Sequence, residues 1–274
     1  MLIIHGMKLN FFFDVDGTIV PFGRNIPESA VRAMHDAKAK GHRLFLSTGR
    51  APYEVTDSVL ALPLDGGVHS SGAEVVLNGK SIYRRFADDR ERKAFKAVAE
   101  KYDLLWFIQG PENTYTTKRT MEVYRRISFE NNGGEVQLTG LKMVDSIPDI
   151  PMVKFYILSD KGLIMEARRE LEGILHCENN TTGFPMEAAA EVTIPGISKA
   201  SGIEIMVRHL GESMDSTVGV GDGENDIRMV SACHLGIAMG NACQQLKDCA
   251  DYVTSDIDDD GLAKAIYYAM EKFG

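Results

Sequence analysis

The sequence predicts an α/β fold: a doubly wound, mostly parallel sheet with a second α/β unit inserted into it. Three observations carry this. Strand-like apolar runs alternate with helical periodicity over the first third of the chain and again near its end, the grammar of parallel βαβ units. Small polar, acidic and glycine residues follow those runs, where parallel α/β sheets bind ligands. Between residues 83 and 189 the texture changes, and 274 residues exceed the usual size of one domain. The expected division is therefore 1–82 with 190–274 as the core and 83–189 as the insertion.

Residues 8–14 (KLNFFFD) form the first apolar run. IPESAVRAMHDAKAKG then sets Ile26, Ala30, Met34 and Ala37 at helical spacing, with Pro27 in the first turn and Gly41 at the stop. HRLFLSTGR reads as a second strand, APYEVTDSVLAL as a helix, and GGVHSSGAEVVLNGKSIY as short strands turning at Asn78-Gly79. In the insertion, DRERKAFKAVAEKYD is an amphipathic helix carrying Phe95, Val98 and Tyr102, and LLWFIQG and VKFYILSD are strands. KGLIMEARRELEGIL follows as a helix, and MEAAAEVTIP alternates like a half-buried strand. The core resumes with the glycine-rich strand end STVGVGDGEND, the helix NDIRMVSAC, the strand HLGIAM and a final helix. That helix sets Leu262, Ile266, Ala269, Met270 and Phe273 on one side.

Apolar residues at 44% and charged residues at 25% belong to an ordinary globular protein, and no apolar stretch approaches the ~20 residues of a membrane span. MLIIHGMKLN lacks the features of a secretory signal, so a cytoplasmic protein is expected. Cys177, Cys233, Cys243 and Cys249 form no C-x-x-C pair, which favours free thiols. A formal charge of −9 argues against nucleic acid as a partner and requires local positive charge for any anionic substrate. Nothing in the sequence fixes an oligomeric state.

Chemistry gathers at three strand ends. The first offers Asp14 and Asp16; carboxylates about 4 Å apart repel by roughly 4 kcal/mol at an effective dielectric of 20, so a cation, a shared proton or exposure to water must compensate them. The second offers Ser47, Thr48, Gly49 and Arg50. The late strand offers Gly221, Asp222, Gly223, Asn225 and Asp226, and Lys199 precedes a helical pattern just upstream. Each has a plainer explanation: turns for the aspartates, a helix cap for Thr48, a surface charge for Arg50, a solvated lysine for Lys199. As an ordered set they supply anions for a divalent cation, donors for an oxyanion and a neutralising lysine, which is what phosphoryl transfer requires. DIDDDG (256–261) imitates an EF-hand start, but its twelfth position is Tyr267, so a capping turn is expected. GVGDGEN lacks dinucleotide-binding spacing.

With Asp14-x-Asp16-Gly-Thr, Thr48 in STGR, Lys199 in ISKASGI and GDGENDIRM in this order, the chain resembles the haloacid dehalogenase (HAD) superfamily, specifically the Cof-like phosphatases with a type IIB α/β cap. The resemblance implies a Rossmann-like core and Mg²⁺-dependent hydrolysis of a small phosphorylated metabolite, with sugar phosphates as the expected substrates. Asp14 would be the nucleophile and Asp16 the acid and base; Asp14 and Asp222, with the backbone of Asp16, would hold Mg²⁺. Thr48, Gly49, Arg50, Lys199 and Asn225 would contact phosphate or substrate, and Asp226 would position the lysine and metal-bound waters. Ser71-Gly72-Ala73 stands where many relatives have Asn-Gly-Ala. A phosphotransferase or phosphomutase, or a non-catalytic phosphate-ligand-binding protein, remains an alternative on the same scaffold.

Overall fold

The computed structural model describes residues 7–132, 138–179 and 184–273. Its internal contacts divide the chain into two units: Met1–Gly49, Thr56–Tyr83 and Ser198–Gly274 form one, Arg50–Val55 and Arg84–Ile197 the other. Residues 190–197 and the short segment 50–55 thus go with the second unit, although the sequence pattern gave them to the core.

The first unit begins with β1 (Asn10–Phe13), whose three phenylalanines are fully buried; Phe12 stacks on Phe45 at 5.0 Å between centroids. Next come α1 (Glu28–Ala39), β2 (Arg43–Ser47), α2 (Asp57–Leu60), β3 (Gly66–His69), β4 (Glu74–Leu77) and β5 (Lys80–Arg84). Pro27 sits at the N-cap of α1, just outside the helix, and Ala30, Ala33, Met34 and Ala37 are its buried face. The stretch read as one helix after β2 is instead a 3₁₀ turn, Pro52–Glu54, followed by the single turn of α2. Val55 is extended (φ −74°, ψ 128°), and the Glu54 side chain folds back to accept from the backbone N–H of Ala51. Asn78 (φ 48°) and Gly79 (φ 74°) make the two-residue turn between β4 and β5, whose left-handed pair suits a tight hairpin.

The second unit holds α3 (Asp89–Lys101), β6 (Leu105–Gln109), β7 (Thr114–Thr116), α4 (Lys118–Asn132) and β8 (Leu141–Met143). It continues with β9 (Lys154–Leu158), α5 (Ile164–Leu171), β10 (His176–Asn179) and β11 (Ala189–Thr193). Its sheet runs β10-β11-β9-β6-β7-β8, antiparallel except between β7 and β8. Asp88 and Glu91 cap α3 reciprocally, each side chain accepting from the other's backbone N–H. Phe95 on α3 stacks against Phe155 at 4.1 Å, while Leu105 and Phe107 pack with Met121, Tyr124 and Phe184. All five residues of β11 are buried, against the half-buried alternation expected; Glu191 tolerates this because Lys154 pairs with it.

The first unit resumes with α6 (Lys199–His209), β12 (Thr217–Gly221), α7 (Ile227–Ala232), β13 (Leu235–Ala238), α8 (Gln244–Cys249), β14 (Tyr252–Val253) and α9 (Gly261–Phe273). Its sheet order is β14-β13-β12-β1-β2-β3-β4-β5, parallel from β14 to β3. α1 packs with α9 and α6 with α7, the layering of a doubly wound fold. Strand order reverses at β1, so the carboxyl ends of β12, β1 and β2 open side by side onto one crevice. DIDDDG forms the expected capping turn: Asp256 accepts from the N–H of Asp258, and left-handed Asp260 leads into α9. The four cysteines are free, and no described helix is long and apolar enough to cross a membrane.

Candidate active site

Asp14 follows β1 directly, its N–H bonded to the carbonyl of Val220 on β12 at 3.0 Å. Lys199, the first residue of α6, donates from Nζ to Asp14 Oδ1 and to Asp226 Oδ1, both at 2.5 Å, and its side chain is 1% exposed. Asp226 Oδ2 in turn accepts from the backbone N–H groups of Asp222 and Gly223, at 3.0 Å each. Asp222 Oδ1 accepts from the hydroxyl of Thr18 at 2.7 Å. Residues up to 212 positions apart in the chain are thereby joined in one network.

Two glycines make the approach possible. Gly17 has φ +90°, and a Cβ there would lie 2.2 Å from Asp222 Oδ2. Gly72 has φ +105°, and a Cβ there would lie 2.0 Å from the carbonyl of Ser198, so only glycine lets the capped start of α6 carry Lys199 this close. Ser198 caps that helix by accepting from the N–H of Ser201.

The remaining predicted residues take the following places in the chain. Asp16 is half-buried in the turn after β1, bridged to Val20, and its charge acts on both Asp14 and Asp222. Thr48 is buried at the end of β2, its N–H bonded to Val68 and its carbonyl to the N–H of Ser71; Gly49 follows it. Arg50 falls in the second unit, where it donates to the carbonyl of Glu54 at 3.2 Å. Asn225 is half-buried in the 3₁₀ turn Glu224–Asp226. Ser71 has φ +57°, a left-handed conformation that asparagine adopts more readily than serine, so an asparagine suits this position on backbone grounds alone. The hydroxyls of Ser47, Ser70 and Ser71 are buried without a hydrogen-bond partner among the described residues. Sequence reasoning assigned no role to Thr18 or to Asn241, which donates to the carbonyl of Gly17 at 2.8 Å. Thr18 was visible inside the D-x-D-G-T run, whereas nothing local singles out Asn241.

The electrostatics are unbalanced. Burial raises the pKa of Asp14 well above its usual range; Lys199 opposes the rise, and Asp226, Asp222 and Asp16 add to it. Asp222 is pushed up to about 7, first by burial and then by Asp226, despite the Thr18 bond. Burial alone would lower the pKa of Lys199, but Asp14 and Asp226 more than reverse that, so it stays charged. Carboxylate oxygens of Asp14, Asp222 and Asp226 lie within 4.8 Å of one another. Asp14, Asp222 and Asp226, with the charge of Asp16 acting on two of them, outnumber the one ammonium, an excess that a bound cation would offset. The all-oxygen donor set is also that of a hard cation, so the residues fit a bound metal ion.

Residues 11–266 match the family described as haloacid dehalogenase-like hydrolase. A Bacillus subtilis protein named 5-amino-6-(5-phospho-D-ribitylamino)uracil phosphatase YcsE is 29% identical, the alignment covering 92% of each chain. Phosphoglycolate phosphatase of Methanothermobacter thermautotrophicus is 26% identical over 92% of this chain and 95% of its own. Among solved structures, the HAD subclass IIB sugar phosphatase BT4131 superposes with a TM-score of 0.82 at 28% identity, covering 96% of this chain and 99% of its own.

Proposed function

The chain belongs to the haloacid dehalogenase-like hydrolase family and is a phosphatase of that family, and we propose that it hydrolyses small phosphomonoesters, sugar phosphates foremost, through an aspartyl-phosphate on Asp14. The observation that carries this is the buried Asp14–Lys199–Asp226 network with Asp222 beside it, at the carboxyl ends of β1 and β12.

Lys199 holds Asp14 Oδ1, which leaves Oδ2 as the attacking atom. Oδ2 bonds to phosphorus as the phosphorus–oxygen bond to the leaving alkoxide breaks, splitting one difficult displacement into two easier ones. Asp16, half-buried in the turn after β1, gives its proton to the alkoxide. It then takes a proton from the water that attacks the aspartyl-phosphate, and inorganic phosphate leaves. Thr48, Gly49 and Lys199 supply donors to the phosphoryl oxygens where charge develops, and Asn225 and Asp226 keep the donors oriented. Asp14 and Asp222, with the backbone of Asp16, would hold Mg²⁺, which when bound neutralises the excess negative charge and favours an ionised Asp14. We assign the second unit the role of a cap that selects the leaving group, with Arg50 at its first residue as a substrate contact.

Asp14→Asn is the test. Release of inorganic phosphate from a panel of sugar phosphates in Mg²⁺ should be abolished while the circular dichroism spectrum stays unchanged. Steady-state turnover surviving in that variant would sink the nucleophile assignment.

A further inference from the structure

The second unit contains a pocket of about 140 Å³ that the proposed hydrolysis does not use for its chemistry. An apolar cavity of about 150 Å³ holds one benzene molecule, so the size is that of a single six-membered ring. Phe107, Tyr124, Leu138, Leu141 and Tyr156 provide apolar walls, with the ring of Tyr124 set edge-on to Phe107 at 5.1 Å and 72°.

One end differs. The strand register places Thr114, Gln109 and Lys154 side by side across β7, β6 and β9, and the row two residues further along the same sheet face is Thr116, Phe107 and Tyr156. A polar row therefore abuts an aromatic one. Glu54 reaches the polar row from the 3₁₀ turn. Its Oε2 accepts from Gln109 Nε2 and the backbone of Ala51, each at 2.7 Å, and its Oε1 accepts from the hydroxyl of Thr114. A carboxylate offers roughly four acceptor positions; among the described residues three are filled, and one is left for a donor from a ligand. Burial raises the pKa of Glu54 even though Thr114, Ala51, Lys154 and Arg50 oppose it, so a further donor would be favourable.

We propose that this pocket binds one planar, uncharged ring with an N–H donor on its edge, in chemical class an amino-substituted six-membered heterocycle, with the donor on Glu54 and the ring face among Phe107, Tyr124 and Tyr156. An anion is disfavoured because Lys154 is already paired with Glu191 and Glu54 is the remaining charge. A hexose fits the volume but would strand hydroxyls against Phe107, Leu138 and Leu141, and unbonded buried hydroxyls are costly. The site stands apart from the hydrolysis proposed above, and its test needs no turnover.

The experiment is calorimetric titration of the full chain with three phosphate-free probes: 2-aminopyrimidine, pyrimidine and D-glucose. Saturable millimolar binding is expected for 2-aminopyrimidine, a strength that its few heavy atoms allow. Pyrimidine should bind about tenfold more weakly and glucose not measurably. Leu141→Trp, which fills the pocket from a half-buried wall and keeps Glu54 in the chain, should abolish the binding, and Glu54→Gln should weaken it about tenfold, with unchanged circular dichroism in both. No saturable binding of either ring, preference for glucose, or binding that survives Leu141→Trp would each overturn the assignment.

Discussion

Each unit buries a lysine against carboxylate, and the two sites differ in stoichiometry. Lys154 meets Glu191 inside a sheet with both side chains under 8% exposed, and it also holds down the pKa of Glu54. Lys199 meets Asp14 and Asp226 with Asp222 close by, so its surroundings carry excess negative charge. A balanced buried pair can be replaced by apolar residues of similar volume with little loss, because the desolvation cost disappears together with the attraction. An unbalanced cluster cannot, since removing its one lysine leaves several carboxylates facing one another without a cation. The difference separates a buried ion pair from a cluster in which carboxylates outnumber the lysine.

The largest effects should come from breaking each site at its lysine. Lys154→Met strands Glu191 and should cost about 3–5 kcal/mol in urea unfolding, and adding Glu191→Leu should recover most of it. Lys199→Met should cost as much and also reduce turnover by about 10²–10³-fold, as loss of a preorganised donor does. Adding Asp226→Leu there should recover nothing, because Asp14 and Asp222 remain and the N–H groups of Asp222 and Gly223 lose their acceptor. Recovery of stability in the Lys199 and Asp226 double variant would erase the contrast between the two sites.

A smaller effect sharpens the contrast through pH. With metal chelated, Asp222 titrates near 7 in the folded chain against 3.8 for an ordinary aspartate, and Asp14 is raised in the same direction. Between these values the folded state holds protons that the unfolded state has lost, so stability falls as pH rises from about 4 to 7. The urea midpoint of chelated protein should therefore be lower at pH 8 than at pH 5. Saturating Mg²⁺ should restore it at pH 8, since a ligand bound only by the folded state adds about 2.7 kcal/mol at a hundred times its Kd. Asp222→Asn should flatten the slope and abolish most of the Mg²⁺ effect. Equal midpoints at the two pH values would show that the cluster is not short of positive charge.

The two sites were also unequally legible in the sequence. The core site follows three parallel strands, each an apolar run that stops at small polar residues, so FFFDVDGT, LSTG and VGVGDG announce their own ends. Order along the chain then identified Lys199, which no local signal marks. The second unit hides its site because Glu54, Gln109, Thr114 and Lys154 come from four separate elements and meet only through antiparallel register. β7 and β8, at three residues each, are too short for periodicity to reveal. Glu54 sat within a stretch read as a regular helix, and the side-chain bond that caps the start of the 3₁₀ turn at Ala51 cannot be seen in a pattern of apolar positions. Buried Glu191 likewise escaped because alternation reports polarity, and a paired charge can be buried against that signal.

The smallest effect concerns two threonines that play parallel parts. Thr18, fully buried, donates to Asp222, and Thr114 donates to Glu54. A hydrogen bond to a charged group contributes about 1.5–3 kcal/mol, and valine keeps the shape while removing the donor. In Thr18→Val the ionised form of Asp222 loses a partner that holds its pKa down, so a cation must displace a more tightly bound proton. The Mg²⁺ concentration giving half-maximal thermal stabilisation at pH 7 should rise about tenfold. Thr114→Val removes the matching bond from a carboxylate that is not among the proposed metal ligands, so it should lower Tm by a few degrees and leave the Mg²⁺ midpoint in place. If both valines shift that midpoint alike, the threonines act through general stability, and the charge imbalance that distinguishes the core cluster from the pair in the second unit has no bearing on metal affinity.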